Sequence, residues 1–233
     1  DGNGDMRWAW MLSYVAGTPL AHARPHGDDL LRDLGRFLGR MDEALASFSH
    51  PAAARPLKWD LSGAGWIGHF LHYIADPVRR GLVERHLEAF QRDVQPALLN
   101  QRQSAIHNDA NDYNVLVGPS LPLPRRVASV IDFGDMLHTQ TVSEVVIAAA
   151  YALLDKADPL RAAAAVVGGY HAAYPLTDEE IALIFPLICM RLCVSVTNSA
   201  YRRANEPDDP YLTISERPAW VAPVAGLRLN FGR

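Results

Sequence analysis

The chain has 233 residues, of which 49% are apolar and 21% are charged, and its net charge is −4. This composition is typical of a globular protein with a substantial core. The sequence holds neither the long Lys/Arg cluster of a nucleic-acid-binding surface nor an uninterrupted apolar run of the ~20 residues that a membrane span needs. We therefore expect neither nucleic acid nor a membrane as a partner.

The amino-terminal residues predict a hairpin turn, a strand and a helix. DGNGD (1–5) has the Asp-Gly and Asn-Gly steps that favour positive φ, and MRWAWMLSYV (6–15) follows as the second strand of the hairpin. GTPL (17–20) should end this strand. Apolar residues then recur at helical spacing through DDLLRDLGRFLGRMDEAL, which predicts a helix over 28–45.

The middle of the chain predicts two helices followed by short strands. A loop containing LKWDLSGAGW leads into expected helices over 64–74 and about 77–99. AIHNDA and NVLVG should form strand, loop and strand. RRVASVIDFGD (125–135) should add another strand that enters a loop, with LPLP as the preceding turn.

From residue 141 onward the sequence predicts mostly helix. Thr177 and Glu180 have the spacing of a capping box at the start of the last and longest helix. The tail from about 205 is rich in Pro and acidic residues and should be irregular. Cys189 and Cys193 lie four apart in an apolar helical context, which favours buried thiols in a reducing compartment. The amino end lacks the order of a signal peptide, so we expect a cytoplasmic protein.

The residues that could carry chemistry lie between 107 and 135. His107, Asp109 and Asn114 form H-x-D-x4-N, and Asp132 follows in a D-F-G at the end of a predicted strand. Phosphoryl transfer needs a carboxylate that orients a hydroxyl and accepts its proton, together with oxygen ligands for Mg²⁺. Asp109 would be the base, Asn114 and Asp132 the metal ligands, and His107 a brace for the loop.

Each fragment of this pattern also has a simpler interpretation. An H-x-D triplet arises easily by chance in a chain with nine His, and Asn108, Asn111 and Asp112 could be turn residues. The joint pattern is hard to obtain by chance and favours a phosphotransferase. A metal hydrolase is disfavoured because His107 and Asp109 lack a second His cluster.

IHNDANDYNVLV and VIDFGD resemble the catalytic and metal-binding loops of the aminoglycoside phosphotransferase and choline kinase superfamily. MLSYVAGTPL resembles its hinge between two lobes, and LLRDLGRFLGRMDEAL resembles the first helix of its large lobe. LKWDLSGA and RLCVSVTNSAYRRANEPDDPYLTISERPAW resemble segments of the hydroxylysine kinase-like branch, whose domain is sometimes fused to a class III aminotransferase.

The resemblance implies an α+β fold, namely the large carboxyl-terminal lobe of a protein-kinase-like protein. This lobe would be mostly α-helical, with a short β-hairpin carrying the catalytic and metal loops, plus one amino-terminal hinge strand. Residues 1–16 would be a remnant of the small lobe's hairpin and hinge strand, and residues 17–233 would be the phosphotransferase lobe.

The resemblance also implies site residues and cofactors. Asp109 would be the catalytic base, with His107 beside it, and Asn114 and Asp132 would bind Mg²⁺ together with ATP or GTP. The hinge backbone would contact adenine through Leu12, Ser13 and Tyr14.

Three nearby residues also bear on the interpretation of these loops. Asn108 stands where many aminoglycoside kinases have Gly or Leu, and its side chain need not face the phosphate. A metal role for Asp135 stays open. For Glu144, a structural hydrogen bond is favoured over catalysis.

The small lobe's Gly-rich turn and strand Lys have no counterpart before the hinge. Lys58 and Lys156 are the two lysines of the chain, and DGNGD lacks the G-x-G-x-x-G order. The sequence therefore predicts an incomplete fragment of a longer kinase, which by itself binds ATP weakly and turns over little or nothing.

The resemblance favours a hydroxylated amine or amino acid, such as hydroxylysine, as the acceptor. Candidate contacts for it are Asp60 beside Trp59, Tyr201, Glu206, Asp208 and Asp209, and, for a carboxylate, Arg191, Arg202 and Arg203. A salt-bridged surface is the simpler interpretation of each. Two alternatives remain: an aminoglycoside, homoserine or choline-type kinase, and an inactive kinase-like lobe that serves a fused or associated aminotransferase.

Overall fold

Helices dominate the computed structural model, which describes residues 11–119 and 124–206. The α-helices of this part are α1 (Asp28–Leu45), α2 (Pro77–Ala89), α3 (Gln95–Leu98), α4 (Val142–Ala152), α5 (Pro159–Ala173) and α6 (Asp178–Asn205). Its strands are β1 (Thr18–Pro19), β2 (Gln103–Ile106), β3 (Val115–Val117), β4 (Val127–Val130) and β5 (Leu137–Gln140). The mixture of a helical body with small antiparallel sheets confirms the α+β prediction.

The strands form two separate sheets. One has the order β1-β3-β4, and the other pairs β2 with β5, with Ser104 opposite Thr139. The predicted hairpin is present as β3–β4, with an irregularity between Leu116 and Val117. This hairpin carries both predicted loops, because residues 107–114 lead into β3 and residues 131–136 follow β4, and each loop connects one sheet to the other. Strand β5 was missed because its short, partly polar sequence LHTQ has no clear local pattern.

The predicted hinge strand is partly wrong. Residues 6–10 lie outside the described residues, residues 11–17 have no strand structure, and the pairing begins at Thr18, opposite Val117. GTPL therefore enters a sheet where it was expected to end a strand. Gly17 makes this possible, because a Cβ at Gly17 would lie only 2.9 Å from the Leu116 Cβ.

Helices α1 and α5 pack together closely. The apolar face of α1 is buried at Leu31, Leu34 and Leu38, as the helical spacing predicted, and α1 begins and ends at the expected residues. Glycine makes the contact possible, since a Cβ on Gly169 of α5 would overlap the Arg32 carbonyl of α1. The two backbones are therefore in direct contact at this position.

The predicted helix over 64–74 is a 3-10 helix, Leu61–Tyr73, whose three glycines, Gly63, Gly65 and Gly68, weaken a regular α-helix. The predicted helix over 77–99 is continuous but changes geometry, because α2 and α3 are joined by a π-helical stretch, Phe90–Val94.

Helix α6 runs through the core. Its predicted capping box is confirmed, since the Glu180 N–H donates to Thr177 Oγ1 (3.1 Å) and the Thr177 N–H donates to Glu180 Oε2 (2.9 Å). Cys189 and Cys193 are buried and unpaired, and burial raises the pKa of the Cys189 thiol to about 12. Within the described part of the chain, α6 alone has the length and composition of a membrane span, but 72% of its apolar window is buried inside the protein.

Candidate active site

The loop 107–114 joins β2 to β3 and turns at Asn108. Asn108 is fully buried and has a φ of 65°, in the left-handed region that Gly and Asn tolerate best. Its backbone N–H donates to Glu144 Oε2 (2.9 Å), and its side-chain Nδ2 donates to the Asp135 carbonyl (3.3 Å). Glu144 thus makes the kind of structural hydrogen bond that the sequence favoured. These two bonds fix the turn that presents the next residue, Asp109.

His107 connects the two loops. Its Nδ1 accepts a hydrogen bond from the Asp109 N–H (3.2 Å), so its Nε2 carries the hydrogen and donates to the Ile131 carbonyl (3.0 Å). The Phe133 ring packs edge-on against the imidazole, with centroids 4.7 Å apart. This buried position suits a residue that braces the loop.

Asp109 is held by three side chains. Its Oδ2 accepts hydrogen bonds from Asn111 Nδ2 (3.0 Å) and Asn114 Nδ2 (2.8 Å), and its Oδ1 lies 3.5 Å from Arg191 Nη2. Burial raises the pKa of the Asp109 carboxyl, while Arg191 and then Asn111 oppose the rise. Its side chain keeps 23% exposure to the pocket, so a carboxylate that is fixed and still accessible can accept a proton.

Asn114 and Asp132 lie side by side. The Ile131 N–H donates to the Asn114 carbonyl (2.9 Å), which places Asp132 next to Asn114. Both hydrogen bonds of Asn114 Nδ2 go to Asp109, so its Oδ1 is turned to other partners, and Asp132 presents an exposed carboxylate.

Oxygen ligands of this kind fit Mg²⁺, which usually keeps waters and substrate phosphates as its remaining ligands. No group of three or more His, Cys, Asp or Glu residues suited to a metal occurs in the ranges 11–119 and 124–206. A site made by one carboxylate and one amide therefore fits an ion that is shared with a nucleotide.

The loop residues open onto a pocket of about 580 Å³. Asp109, Asn114 and Asp132 line it, so the structure brings together these three predicted residues of the two loop motifs. Asn111, which the sequence suggested as a turn residue, lines the pocket as well. More distant segments complete its walls with Trp59, Tyr151, Arg191, Asn198 and Arg202. Sequence reasoning missed Tyr151 and Asn198 as pocket residues.

Arg191 on α6 is buried in the wall of this pocket, with 1% exposure. Its guanidinium lies 4.9 Å from the Trp59 ring centroid and 5.7 Å from that of Tyr151. Its hydrogen bonds to the Trp59 carbonyl, Asp109 and the Tyr151 hydroxyl are long, at 3.4–3.5 Å. The sequence suggested that Arg191 meets a substrate carboxylate, whereas in the structure it adjoins the candidate base.

The other predicted acceptor contacts are spread more widely. Asp60 caps the 3-10 helix, accepting hydrogen bonds from the Ser62 N–H (3.0 Å) and from Thr139 Oγ1 (2.9 Å), and it is not among the residues that line the pocket. Arg202 lines the pocket and pairs with Glu206 (2.9 Å).

Tyr201 belongs to an aromatic cluster with Phe70 and Tyr73. Asp208 and Asp209 lie outside the described residues. The hinge residues Leu12, Ser13 and Tyr14 are exposed, and their contact with adenine stays a prediction.

The fold and the two loops define a kinase-like phosphotransferase lobe. The solved structure of an amicoumacin kinase, in complex with AMP-PNP and Ca²⁺, has a TM-score of 0.58 at 12% identity and covers 85% of this chain and 59% of its own. An aminoglycoside phosphotransferase from Alicyclobacillus acidocaldarius has a TM-score of 0.57 at 17% identity, and the match covers 89% of this chain and 65% of that protein's chain. Residues 1–180 match the family described as the phosphotransferase enzyme family, and the chain belongs to it.

Curated relatives extend the similarity over most of the chain. Hydroxylysine kinase from Bos taurus is 29% identical over 219 residues, which cover 90% of this chain and 58% of the relative. Hydroxylysine kinase from Danio rerio is 28% identical over 214 residues, which cover 89% of this chain and 59% of the relative. The chain thus spans 58–59% of the length of these relatives. The predicted superfamily is confirmed, while the association with an aminotransferase stays a prediction.

Proposed function

We propose that this chain is the large lobe of an ATP-dependent kinase that phosphorylates the hydroxyl group of a small amine or amino acid, such as hydroxylysine. The observation that carries the proposal is the geometry of Asp109. Its carboxylate is fixed by Asn111, Asn114 and Arg191, opens onto a polar pocket, and adjoins Asn114 and Asp132.

In the proposed reaction, Asp109 orients the acceptor hydroxyl and takes its proton. The hydroxyl oxygen forms a bond to the γ-phosphorus of ATP as the bond from that phosphorus to the β–γ bridging oxygen breaks, and ADP leaves. A divalent cation such as Mg²⁺, when bound, neutralises charge on the phosphates, and Asn114 Oδ1 and the Asp132 carboxylate would hold it. His107 keeps both loops in register.

The acceptor class is supported by two observations. The curated hydroxylysine kinases match about nine tenths of this chain, including its carboxyl-terminal part. The pocket carries both carboxylates and cations, which suits a molecule with an ammonium and a carboxylate better than one with a single charge sign.

We also propose that the cation clamping the nucleotide's α- and β-phosphates comes from outside these 233 residues. The chain has two lysines, Lys58 and Lys156, and both follow the hinge segment. Activity is therefore to be measured in the full-length protein, and the 233-residue chain alone should turn over slowly.

The test is Asp109→Asn in the full-length protein, with ATP consumption measured against hydroxylysine, homoserine, choline, ethanolamine and an aminoglycoside. Loss of a general base should lower kcat on the preferred acceptor by about 10²- to 10⁴-fold. Asp93→Asn is the matched control, because Asp93 is an exposed carboxylate paired with Arg92 and should leave kcat unchanged.

Two outcomes would contradict the proposal. Full activity in Asp109→Asn would remove the mechanism, and exclusive activity on the aminoglycoside would replace the acceptor class with an antibiotic.

A further inference from the structure

A cluster of basic side chains lies on the pocket wall near the carboxyl end of α4. Arg24, His26 and Lys156 make up this cationic cluster, and all three line the same pocket as Asp109. Lys156 Nζ lies 2.8 Å from His26 Nδ1, and Arg24 Nη1 lies 2.6 Å from His26 Nε2. The imidazole is therefore placed between an ammonium and a guanidinium.

His26 can satisfy only one of these two cations. Burial, together with Lys156, lowers the pKa of His26 to about 4, so the imidazole is neutral near pH 7 and has one acceptor nitrogen. An ammonium and a guanidinium have donors only. If Nδ1 accepts from Lys156, Nε2 carries a hydrogen and donates to the Leu20 carbonyl (2.8 Å). Arg24 Nη1 then has only backbone acceptors among its hydrogen bonds, the carbonyls of Leu20 (3.2 Å) and Ala23 (3.4 Å).

In the described residues, no carboxylate forms an ion pair with the cationic cluster. None of the ion pairs found there includes Arg24 or Lys156. Burial and then Arg24 lower the pKa of Lys156, and the carboxylates of Asp155 and Asp112 oppose this shift. An exposed Arg24 and a half-buried Lys156, which both line the pocket and form no ion pair within the described ranges, are a favourable place for an anion.

The cluster is joined to the catalytic loop. The Ala21 N–H donates to the Asp112 carbonyl (2.8 Å), which holds the segment carrying Arg24 and His26 against the loop. Asp112 lies three residues after Asp109 in the same pocket. A small molecule in this pocket can therefore meet Asp109 and the cationic cluster together.

We propose that the cationic cluster binds the carboxylate of the acceptor while the acceptor hydroxyl lies at Asp109. This inference rests on the proposed kinase function and narrows its substrate class to hydroxylated amino acids, as opposed to amino alcohols. A nucleotide phosphate is also an anion that could sit beside these cations, so the experiment has to separate the two sources of negative charge.

The experiment compares hydroxylysine with its decarboxylated analogue in the full-length protein. The wild type should prefer hydroxylysine in kcat/KM, and Lys156→Gln should reduce that preference by about tenfold, the typical effect of one charge-assisted hydrogen bond. The KM for ATP should not change. Arg92→Gln is the matched control, because Arg92 is exposed and pairs with Asp93 outside the pocket. Thermal unfolding checks that each variant is folded, and Arg24→Gln provides a second variant with the same expected loss of preference.

Three results would decide against the carboxylate site. A raised KM for ATP with an unchanged acceptor preference would assign the cluster to a nucleotide phosphate. An equal loss on both acceptors would make the cluster a general structural element, and a wild type without preference would overturn the proposal directly. If the wild type phosphorylates neither compound, the proposed function fails instead, and titration calorimetry of both compounds with wild type and Lys156→Gln still tests the site: equal binding would overturn it.

Discussion

The positive φ of Asn108 leads to a specific comparison of two substitutions. Asn108→Gly and Asn108→Ala remove the same side-chain amide. Both lose the 3.3 Å hydrogen bond from Nδ2 to the Asp135 carbonyl, and both remove an Oδ1 that is buried without a hydrogen-bond partner. They differ in the backbone, because Gly adopts a φ of 65° freely and Ala does not.

The magnitudes follow from these contacts. The lost hydrogen bond is long, so its contribution to the free energy of unfolding lies at the lower end of the usual range, about 0.5 kcal/mol. Removing the unpartnered Oδ1 offsets part of this loss. Asn108→Gly should therefore change the free energy of unfolding little. Asn108→Ala adds backbone strain that exceeds the entropic advantage of Ala in the unfolded chain, and the net difference between the variants is about 1 kcal/mol.

Thermal unfolding followed by circular dichroism measures this difference. In a chain of this size about 1 kcal/mol corresponds to roughly 2–4 °C, so Asn108→Ala should melt that far below Asn108→Gly. Asn108→Gly should also keep the higher kcat, because the strained turn directly precedes Asp109.

Asn100 supplies the matched control. It is exposed and is not among the residues with positive φ, so the order should reverse there, with Ala at least as stable as Gly. Equal melting temperatures at position 108, or a more stable Ala variant, would refute the left-handed turn and its role in placing the carboxylate.

Two further predictions concern the helical core. Gly169→Ala should lower the free energy of unfolding by about 1–3 kcal/mol in urea denaturation, because its Cβ overlaps the Arg32 carbonyl. The neighbouring Gly168→Ala meets open space and should be neutral or stabilising by up to about 1 kcal/mol, so equal effects would contradict the packing of α1 on α5. Burial, and then Glu144, raise the pKa of Asp42 well above its usual range. Protonated Asp42 therefore contributes stability that is fully present at acid pH and is lost as the pH rises through the folded-state pKa. Asp42→Asn stays neutral and should gain stability relative to wild type as the pH rises, whereas a difference that does not vary with pH would exclude this titration.

The elements that the sequence predicted well have local causes. Helix α1 lies at its predicted bounds because its apolar face repeats without interruption and acidic residues begin it. The start of α6 follows from the capping box of Thr177 and Glu180, which needs only four consecutive residues. His107, Asp109 and Asn114 were found together because one loop holds all three.

The elements that were missed depend on contacts between distant segments. Strand β5 is four residues long and is defined by its pairing with β2, about 35 residues earlier. Thr18 and Pro19 form a strand only because β3 lies beside them. The cationic cluster likewise joins Arg24 and His26 to Lys156, which comes about 130 residues later. No window of sequence contains these pairs, so periodicity and motif spacing have nothing to act on.

Arg191 shows which sequence signal can still indicate such a distant contact. It is a single charged residue within the apolar helical run ICMRLCV, and a charge at such a position is seldom buried without a partner. Its contacts in the structure are long, and its Nε has no partner. Packing alone would favour an apolar side chain at this position. The guanidinium is better explained by its neighbour, because it opposes the rise that burial causes in the pKa of Asp109 and so helps to keep the candidate base ionised. A lone Arg in a core helix is therefore a sequence signal that such a helix, besides forming the core, can also line the candidate active site.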